Sequence, residues 1–157
     1  MRQAGRRRLD KKCSWKVFNQ DAANLRGVKS GWVDFILTGP PYYNLEKYEK
    51  VPGQASSFRT YSVFLEWYRD VAAEMFRVNK PGGFCALKVG NWRARNRMIP
   101  FVYDTLKAFQ DVGFELHDEL ICAERAPLDL GFSWDVKWRQ RYTHKSHQTV
   151  LVFRRPE

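Results

Sequence analysis

The sequence predicts an α/β fold in which a mostly parallel sheet is flanked by helices. Segments rich in apolar residues alternate between strand-like and helix-like patterns, in the order strand 33–37, helix 62–80, strand 84–89, helix 99–110 and strand 114–124. This alternation along the chain is typical of a parallel sheet that is covered by helices. Ligands of such sheets bind beyond the carboxyl ends of the strands, so the loops at those ends are the candidate functional segments.

The first two predicted strands end at corners with distinct chemistry. A short strand at residues 15–18 is followed by the polar corner Asn19-Gln20-Asp21. Residues 33–37 form an almost continuous apolar run, the pattern of a central strand that is buried on both faces. The pair Pro40-Pro41 ends this strand because proline cannot extend a sheet ladder. A long excursion at residues 43–61 follows, and loops of that length are commonly functional.

Two helices are predicted from apolar residues that recur every three or four positions. The helix at residues 62–80 is ended by Pro81-Gly82-Gly83, and the helix at residues 99–110 is closed by Gly113. A basic loop, NWRARNR, lies between the strand at 84–89 and the second helix. A last strand is predicted at residues 147–153.

Composition limits the class of protein. The chain has 157 residues, about one domain, and 44% of them are apolar, which suffices for a core. No apolar run approaches the roughly 18 residues of a membrane span, so we expect a cytoplasmic protein that does not enter a membrane. The three cysteines form no CxxC pair, and the His144/His147 pair lacks further ligands at matching spacing. We therefore expect neither a disulfide framework nor a metal site.

Positive charge is concentrated at the amino terminus. The formal net charge is +10, and residues 1–16 contribute seven basic side chains against Asp10 alone. Residues 1–14 are predicted to be a disordered basic arm ahead of the folded domain at 15–157, although a merely solubilising tail would have the same composition. Such an arm attracts polyanions by counterion release, and nucleic acid is the expected partner.

The segment TGPPYYN carries the most chemical information. The two prolines fix the backbone φ angle near −65°, so they present rigid carbonyl acceptors beside the ring of Tyr42. A rigid acceptor next to an aromatic ring suits a planar substrate with an exocyclic amine. A proline-stiffened turn with an ordinary packed tyrosine would have the same residues, and the segment alone does not separate the two interpretations.

The segments around this motif extend the pattern. VDFILTGPPYYN resembles the (Asp/Asn/Ser)-Pro-Pro-Tyr motif of the S-adenosylmethionine-dependent amino-methyltransferases, which methylate N6 of adenine or N4 of cytosine in DNA. FNQDAANL upstream, and the Lys-Pro-Gly-Gly turn and closing strand downstream, are similar to the same family in its permuted group. The resemblance covers residues 15–155 and implies a partial Rossmann-like methyltransferase fold.

The resemblance also implies roles for individual residues. Tyr42 would stack on a flipped base, and the carbonyl of Pro40, held by Pro41, would accept a hydrogen bond from the target amine. The cofactor S-adenosylmethionine would lie near Asp21 and along the backbone of Thr38 and Gly39. The loop expected to approach DNA contains Asn44 and Lys47.

A second group of candidate nucleic-acid contacts follows from charge and aromatic content. The basic loop places Arg93, Arg95 and Arg97 around Trp92, an arrangement suited to phosphate contacts, although a solvated loop is an open alternative. Further along, rings and cations interleave in a stretch that fits either core packing or nucleic-acid contact, formed by Trp134, Lys137, Trp138, Arg139 and Arg141.

Two departures from the family pattern affect the predicted activity. Gly39 stands where the family has Asp, Asn or Ser, so no side chain there accepts a hydrogen bond from the amine. The FxGxG cofactor loop is absent, so the domain is predicted to be incomplete, with weak activity alone or a second polypeptide that supplies the loop. The alternatives are an inactive nucleic-acid-binding remnant and a methyltransferase acting on RNA or protein glutamine.

Overall fold

A computed structural model describes residues 14–43, 58–94, 97–123 and 147–157. Six strands and two helices lie within these residues. In chain order they are β1 (Val33–Thr38), α1 (Tyr61–Val78), β2 (Asn79–Val89), β3 (Trp92–Ala94), β4 (Arg97–Ile99), α2 (Phe101–Asp111), β5 (Glu115–Ala123) and β6 (His147–Arg154).

Four of the strands form one sheet in the order β1-β2-β6-β5. β1 and β2 are parallel, whereas β6 is antiparallel to both of its neighbours, β2 and β5. Three of the four strands therefore share one direction, which confirms the prediction of an α/β fold with a mostly parallel sheet. The strands β3 and β4 form a separate two-stranded antiparallel ladder.

Both helices pack on the same face of the sheet, and the hydrophobic core lies between the helices and the sheet. α1 buries one stripe that includes Phe64, Tyr68 and Met75, and α2 buries Phe101 and Phe109. The sheet contributes alternate residues to this core, because successive side chains of a strand point to opposite faces. These sheet residues are Cys85, Leu87, Val89, Leu151 and Phe153.

The irregular start of β2 depends on glycine. The strand β2 begins at Asn79, directly after α1, so Pro81-Gly82-Gly83 lies inside an irregular start of the strand and not between two elements. A Cβ at Gly83 would lie 2.9 Å from the carbonyl oxygen of Lys80, and Gly82 has a φ of 73°. Other residues would therefore strain the backbone at both positions.

The structure corrects three local predictions. Among the described residues β1 is an edge strand with Phe35 and Leu37 55% and 70% exposed, and not a central strand buried on both faces. Residues 15–18 form no strand, and Trp15 and Val17 are 83% and 77% exposed. The predicted basic loop NWRARNR is largely the β3–β4 hairpin, since Trp92 pairs with Ile99 and Ala94 pairs with Arg97. In the described part of the chain, no helix is long and apolar enough to cross a membrane.

Candidate active site at the carboxyl edge of the sheet

The Gly-Pro-Pro-Tyr segment follows β1 directly and lies over the end of β2. Thr38, the last residue of β1, pairs with Leu87 near the carboxyl end of β2. Pro40 is buried, whereas Pro41 and Tyr42 are half-buried. The two parallel strands therefore bring the predicted motif to the sheet edge at which ligands of such folds bind.

The ring of Tyr42 belongs to an aromatic cluster. It packs edge-on against Trp92, with ring centroids 5.3 Å apart, and at a tilt against Phe101 at 5.6 Å. The ring of Tyr42 is therefore packed, as in the second interpretation of the segment, and it is also half-exposed at the sheet edge. A ring that is held by its neighbours is ordered before a ligand binds, which lowers the entropic cost of stacking.

A partly buried hydrogen bond involves Tyr61, whose ring packs against this aromatic cluster. The hydroxyl of Tyr61 donates to Asp104 Oδ2 at 2.6 Å and so links the first turn of α1 to α2. The Tyr61 ring contacts both Trp92 and Tyr43, the residue that follows Tyr42. Burial, and secondarily the bond to Asp104, raises the pKa of Tyr61 far above its ordinary value, so Tyr61 remains a neutral donor.

Two glycines, Gly39 and Gly90, lie at this edge. A Cβ at Gly90, just after β2, would lie 3.4 Å from the hydroxyl oxygen of Tyr42. At Gly39 the nearest atom to such a Cβ is the carbonyl oxygen of Lys88, at an ordinary contact distance of 3.8 Å. A Cβ at Gly39 therefore meets no close contact, and the backbone there is not in the left-handed region that favours glycine.

Asp21 lies at the predicted polar corner. Its Oδ1 accepts hydrogen bonds from the backbone N–H of Ala23 at 2.9 Å and from Trp67 Nε1 at 3.3 Å. Trp67 contacts Phe64, which in turn contacts Tyr43. These contacts connect Asp21 to the Gly-Pro-Pro-Tyr segment through α1, but its Oδ1 is already occupied by protein donors.

The candidate DNA contacts are only partly described. Arg93 and Arg97 lie on the β3–β4 hairpin and are exposed, and Trp92 on the same hairpin holds the ring of Tyr42. The hairpin therefore joins two cationic side chains to the candidate site through one aromatic contact. Several predicted residues lie outside the described parts of the chain: Asn44, Lys47, Arg95, Trp134, Lys137, Trp138, Arg139 and Arg141.

A small cavity opens beside Gly90. It has a volume of about 200 Å³ and lies between the start of α2, the second half of β5 and the start of β6. Its polar lining includes Asn91, Glu119 and His147. Asn91 Oδ1 also accepts the backbone N–H of Val102 at 2.8 Å and so caps α2.

The described residues do not provide a complete cofactor site. Thr38, Gly39 and Asp21 are the three positions predicted to approach S-adenosylmethionine. The two described helices begin after Thr60 and Pro100, and a glycine-rich loop precedes neither of them. Within the four described ranges, no group of three or more His, Cys, Asp or Glu residues lies close enough to hold a metal ion.

Sequence reasoning missed the residues that support the site. Asn91 could have been found, since it follows β2 at the same edge as the motif. The pair Tyr61 and Asp104 is separated by 43 positions in the chain, and no local pattern reveals their contact. The aromatic contact between Tyr42 and Trp92 is equally nonlocal.

Comparison with known proteins identifies the class. The model of the N6/N4 DNA methylase family matches residues 33–157, most of the chain. The chain therefore belongs to the DNA methylase family, as the Pro-Pro-Tyr motif and the sheet edge at which it lies indicate. A curated relative, the type II beta methyltransferase M.BslI of Bacillus sp. (strain NEB-606), is 25% identical in an alignment of 143 positions that covers 83% of this chain and 15% of the relative.

Solved structures share the fold. The protein TTHA0409 of Thermus thermophilus, described as a candidate DNA modification methylase, is 22% identical with a TM-score of 0.64 over 88% of this chain and 52% of its own. The same protein is also solved with S-adenosyl-L-methionine. The cytosine-N4-specific PvuII DNA methyltransferase is 18% identical with a TM-score of 0.64, over 88% of this chain and 49% of its own. The chain thus spans about half the length of these structures.

Proposed function

We propose that residues 38–42 form the amine-binding part of a DNA amino-methyltransferase. The enzyme would transfer a methyl group from S-adenosylmethionine to N6 of adenine or N4 of cytosine. The observation that carries the proposal is the position of Gly39-Pro40-Pro41-Tyr42 at the carboxyl end of β1, in a chain of the DNA methylase family.

The proposed roles follow from rigidity and stacking. Tyr42 stacks on a base that has been flipped out of the duplex, which costs a few kcal/mol and is partly offset by about 1 to 3 kcal/mol of stacking. Pro40 supplies a carbonyl acceptor for the target amine, and Pro41 holds the bend. Gly39 leaves the second acceptor position open, to be taken by a water molecule or the backbone.

DNA is the proposed partner because basic side chains lie on the hairpin that packs against Tyr42 at the carboxyl edge of the sheet. Arg93 and Arg97 on the hairpin, together with Asn44 and Lys47 in the loop after Tyr43, contact the phosphate backbone and hold the duplex near the motif. Asp21, Thr38 and Gly39 border the methyl donor. Further residues, outside the described ranges or on a second polypeptide, complete the donor site.

A second candidate function is supported by Gly39 itself. A noncatalytic remnant that binds nucleic acid would retain the sheet and the basic surface without the side-chain acceptor. The experiment is methyl transfer from radiolabelled S-adenosylmethionine to duplex DNA by the chain and by Gly39→Asp, with Gly39→Ala as the control that adds a Cβ but no acceptor.

We expect weak transfer by the chain and an increase of about 10² to 10³ in Gly39→Asp, by analogy with the loss of one positioned hydrogen-bonding group. Gly39→Ala should resemble the unsubstituted chain. Label transferred only by Gly39→Asp would favour the remnant, and label transferred by neither, although both bind S-adenosylmethionine, would contradict the proposal. Competition by RNA against duplex DNA at fixed salt distinguishes an RNA substrate.

A further inference from the structure

The cavity beside Gly90 has a lining of two kinds. Apolar groups from β4, α2 and β5 form one part of it, and they include Met98, Tyr103 and Ile121. Polar side chains from β5 and β6 form the other part, and they include Glu119, His147 and Thr149. Apolar walls with a few convergent polar groups are the usual form of a site for a small ligand.

Thr149 is the buried polar residue of this cavity. It pairs with Val89 of β2 on one side and with Ile121 of β5 on the other, and it is 5% exposed. Its hydroxyl faces the cavity and makes no hydrogen bond to any residue that the structure describes. A buried hydroxyl of this kind is available to a polar group of a ligand.

The charge of the lining excludes an anion as the ligand. Glu119 contributes a carboxylate, and the first amides of α2 are already occupied. Asn91 Oδ1 accepts the N–H of Val102, and the carbonyl of Pro100 accepts the next two N–H groups along the helix. The lining therefore favours a ligand that carries N–H donors.

The size of the cavity and its acceptor fit one nucleobase. The volume of about 200 Å³ is smaller than the roughly 300 to 1,000 Å³ of sites for drug-sized molecules. A carboxylate such as that of Glu119 accepts a hydrogen bond from the exocyclic amine of cytosine. The hydroxyl of Thr149 can donate or accept at the ring edge, and the ring of Tyr103 offers an apolar contact for the base.

This cavity is separate from the place proposed for the target amine. In the sheet order β1-β2-β6-β5, the strand of Glu119 lies three strand spacings from β1, about 14 Å. The amine that meets Pro40 therefore does not also meet Glu119. The two places are neighbours all the same, because Gly90 lines the cavity and a Cβ there would lie 3.4 Å from the hydroxyl oxygen of Tyr42.

We propose that this cavity binds a second base of the DNA, one that carries an exocyclic amine, beside the base that stacks on Tyr42. Glu119 accepts a hydrogen bond from the amine, and Thr149 bonds to the ring edge. A base with a carbonyl in place of the amine sets two acceptors against each other and is rejected. The inference rests on the proposed function, because DNA is the source of this base.

The test compares the binding of cytidine and uridine to the full chain by NMR. Cytidine carries an amine at the ring position where uridine carries a carbonyl, which is the feature that Glu119 is proposed to read. The backbone amide signals of Glu119, Ile121 and Thr149 report on the cavity, and that of Tyr42 reports on the motif.

Two variants change the proposed contacts with little effect on folding. Glu119→Gln alters an exposed side chain, and Thr149→Val keeps the shape of the residue while it removes a hydroxyl that has no described partner. Glu115→Gln is the matched control, since it makes the same chemical change on an exposed residue at the other end of β5.

We expect cytidine to shift the cavity signals in a saturable way and to bind roughly fivefold more tightly than uridine, the effect of about one hydrogen bond. Thr149→Val should weaken cytidine by a similar factor. Glu119→Gln should abolish the preference for cytidine, because an amide both donates and accepts, whereas Glu115→Gln should retain it.

Three results would overturn the inference: equal binding of the two nucleosides, shifts confined to Tyr42, or no saturable shift. Cavity binding as expected in a chain that neither transfers methyl groups nor binds a flipped base would count against the proposed function alone. Binding of a flipped base at Tyr42 without cytidine binding in the cavity would count against this inference alone.

Discussion

Tyr42 combines a proposed role in base stacking with a measurable role in packing. Because its ring contacts Trp92 and Phe101 at the base of the candidate site, Tyr42→Ala should lower the free energy of unfolding by roughly 1 to 3 kcal/mol. It should also abolish binding that depends on a flipped base. Urea unfolding measures the first effect, and the fluorescence of 2-aminopurine at the target position of a DNA duplex measures the second.

Tyr42→Phe is the control for this prediction. It keeps the ring and loses only the hydroxyl, which lies beside Gly90. We expect base-dependent binding to be retained in Tyr42→Phe and lost in Tyr42→Ala. If Tyr42→Ala binds the base as well as the unsubstituted chain does, the ring has a structural role only.

Two tyrosines, one buried and one half-buried, should make the free energy of unfolding depend on pH in alkaline solution. Burial raises the pKa of Tyr61 and of Tyr68 well above the ordinary value of 10.0. In the unfolded chain both phenols ionise near pH 10, but in the folded chain they stay protonated. Their contribution to stability is therefore complete below about pH 10 and is lost as the pH rises above it.

The contribution of each tyrosine to this loss of stability can be measured separately with Tyr→Phe variants. The free energy of unfolding should fall above pH 10 by up to about 1.4 kcal/mol per pH unit for each tyrosine, and by less for the half-buried Tyr61. Tyr68→Phe and Tyr61→Phe should each reduce that slope, and Tyr103→Phe, at a 65% exposed position, is the control. Urea unfolding at a series of pH values from about 8 to 11 measures it; equal slopes in all variants would contradict the prediction.

At the scale of elements, the β3–β4 hairpin places two arginine side chains near the candidate site. Its exposed residues Arg93 and Arg97 project from a ladder that Trp92 anchors against Tyr42. Arg93→Gln with Arg97→Gln should weaken DNA binding and reduce the slope of log K against log salt by about 2, roughly one unit for each phosphate contact. Arg69→Gln, an exposed position on α1, should leave the slope unchanged, and a slope equally unaffected by the hairpin variant would show that the hairpin does not touch DNA.

The elements also show which predictions a sequence can support. The helices were predicted to within a few residues because α1 and α2 each carry a regular apolar stripe. Residues 15–18 have the composition of a strand, but a strand needs a partner, and the described chain offers none. The hairpin was predicted as a loop because β3 and β4 have three residues each, too few for a period to be recognised.

For the whole molecule, the order of strands and helices was enough to predict the α/β class and the edge that carries the motif. The antiparallel direction of β6 was not predictable, since strand direction within a sheet is set by long-range pairing and not by a local pattern. The residues of the motif were identified from their sequence, but the support of Tyr42 by Trp92 and of Tyr61 by Asp104 arises only from folding.

The net positive charge of the molecule predicts a sequence-independent affinity for DNA that depends on salt. Most of the formal charge of +10 is concentrated in residues 1–16. Deleting residues 1–12, which carry six basic side chains and one acidic one, should weaken binding to any duplex and flatten its salt dependence, because fewer counterions are released. Fluorescence anisotropy of a labelled duplex, titrated at several salt concentrations, measures both effects. A basic arm is expected to contact phosphates and not bases, so the deletion should leave the signal from 2-aminopurine at saturating protein unchanged. An unaltered salt slope would show that the arm only solubilises the chain.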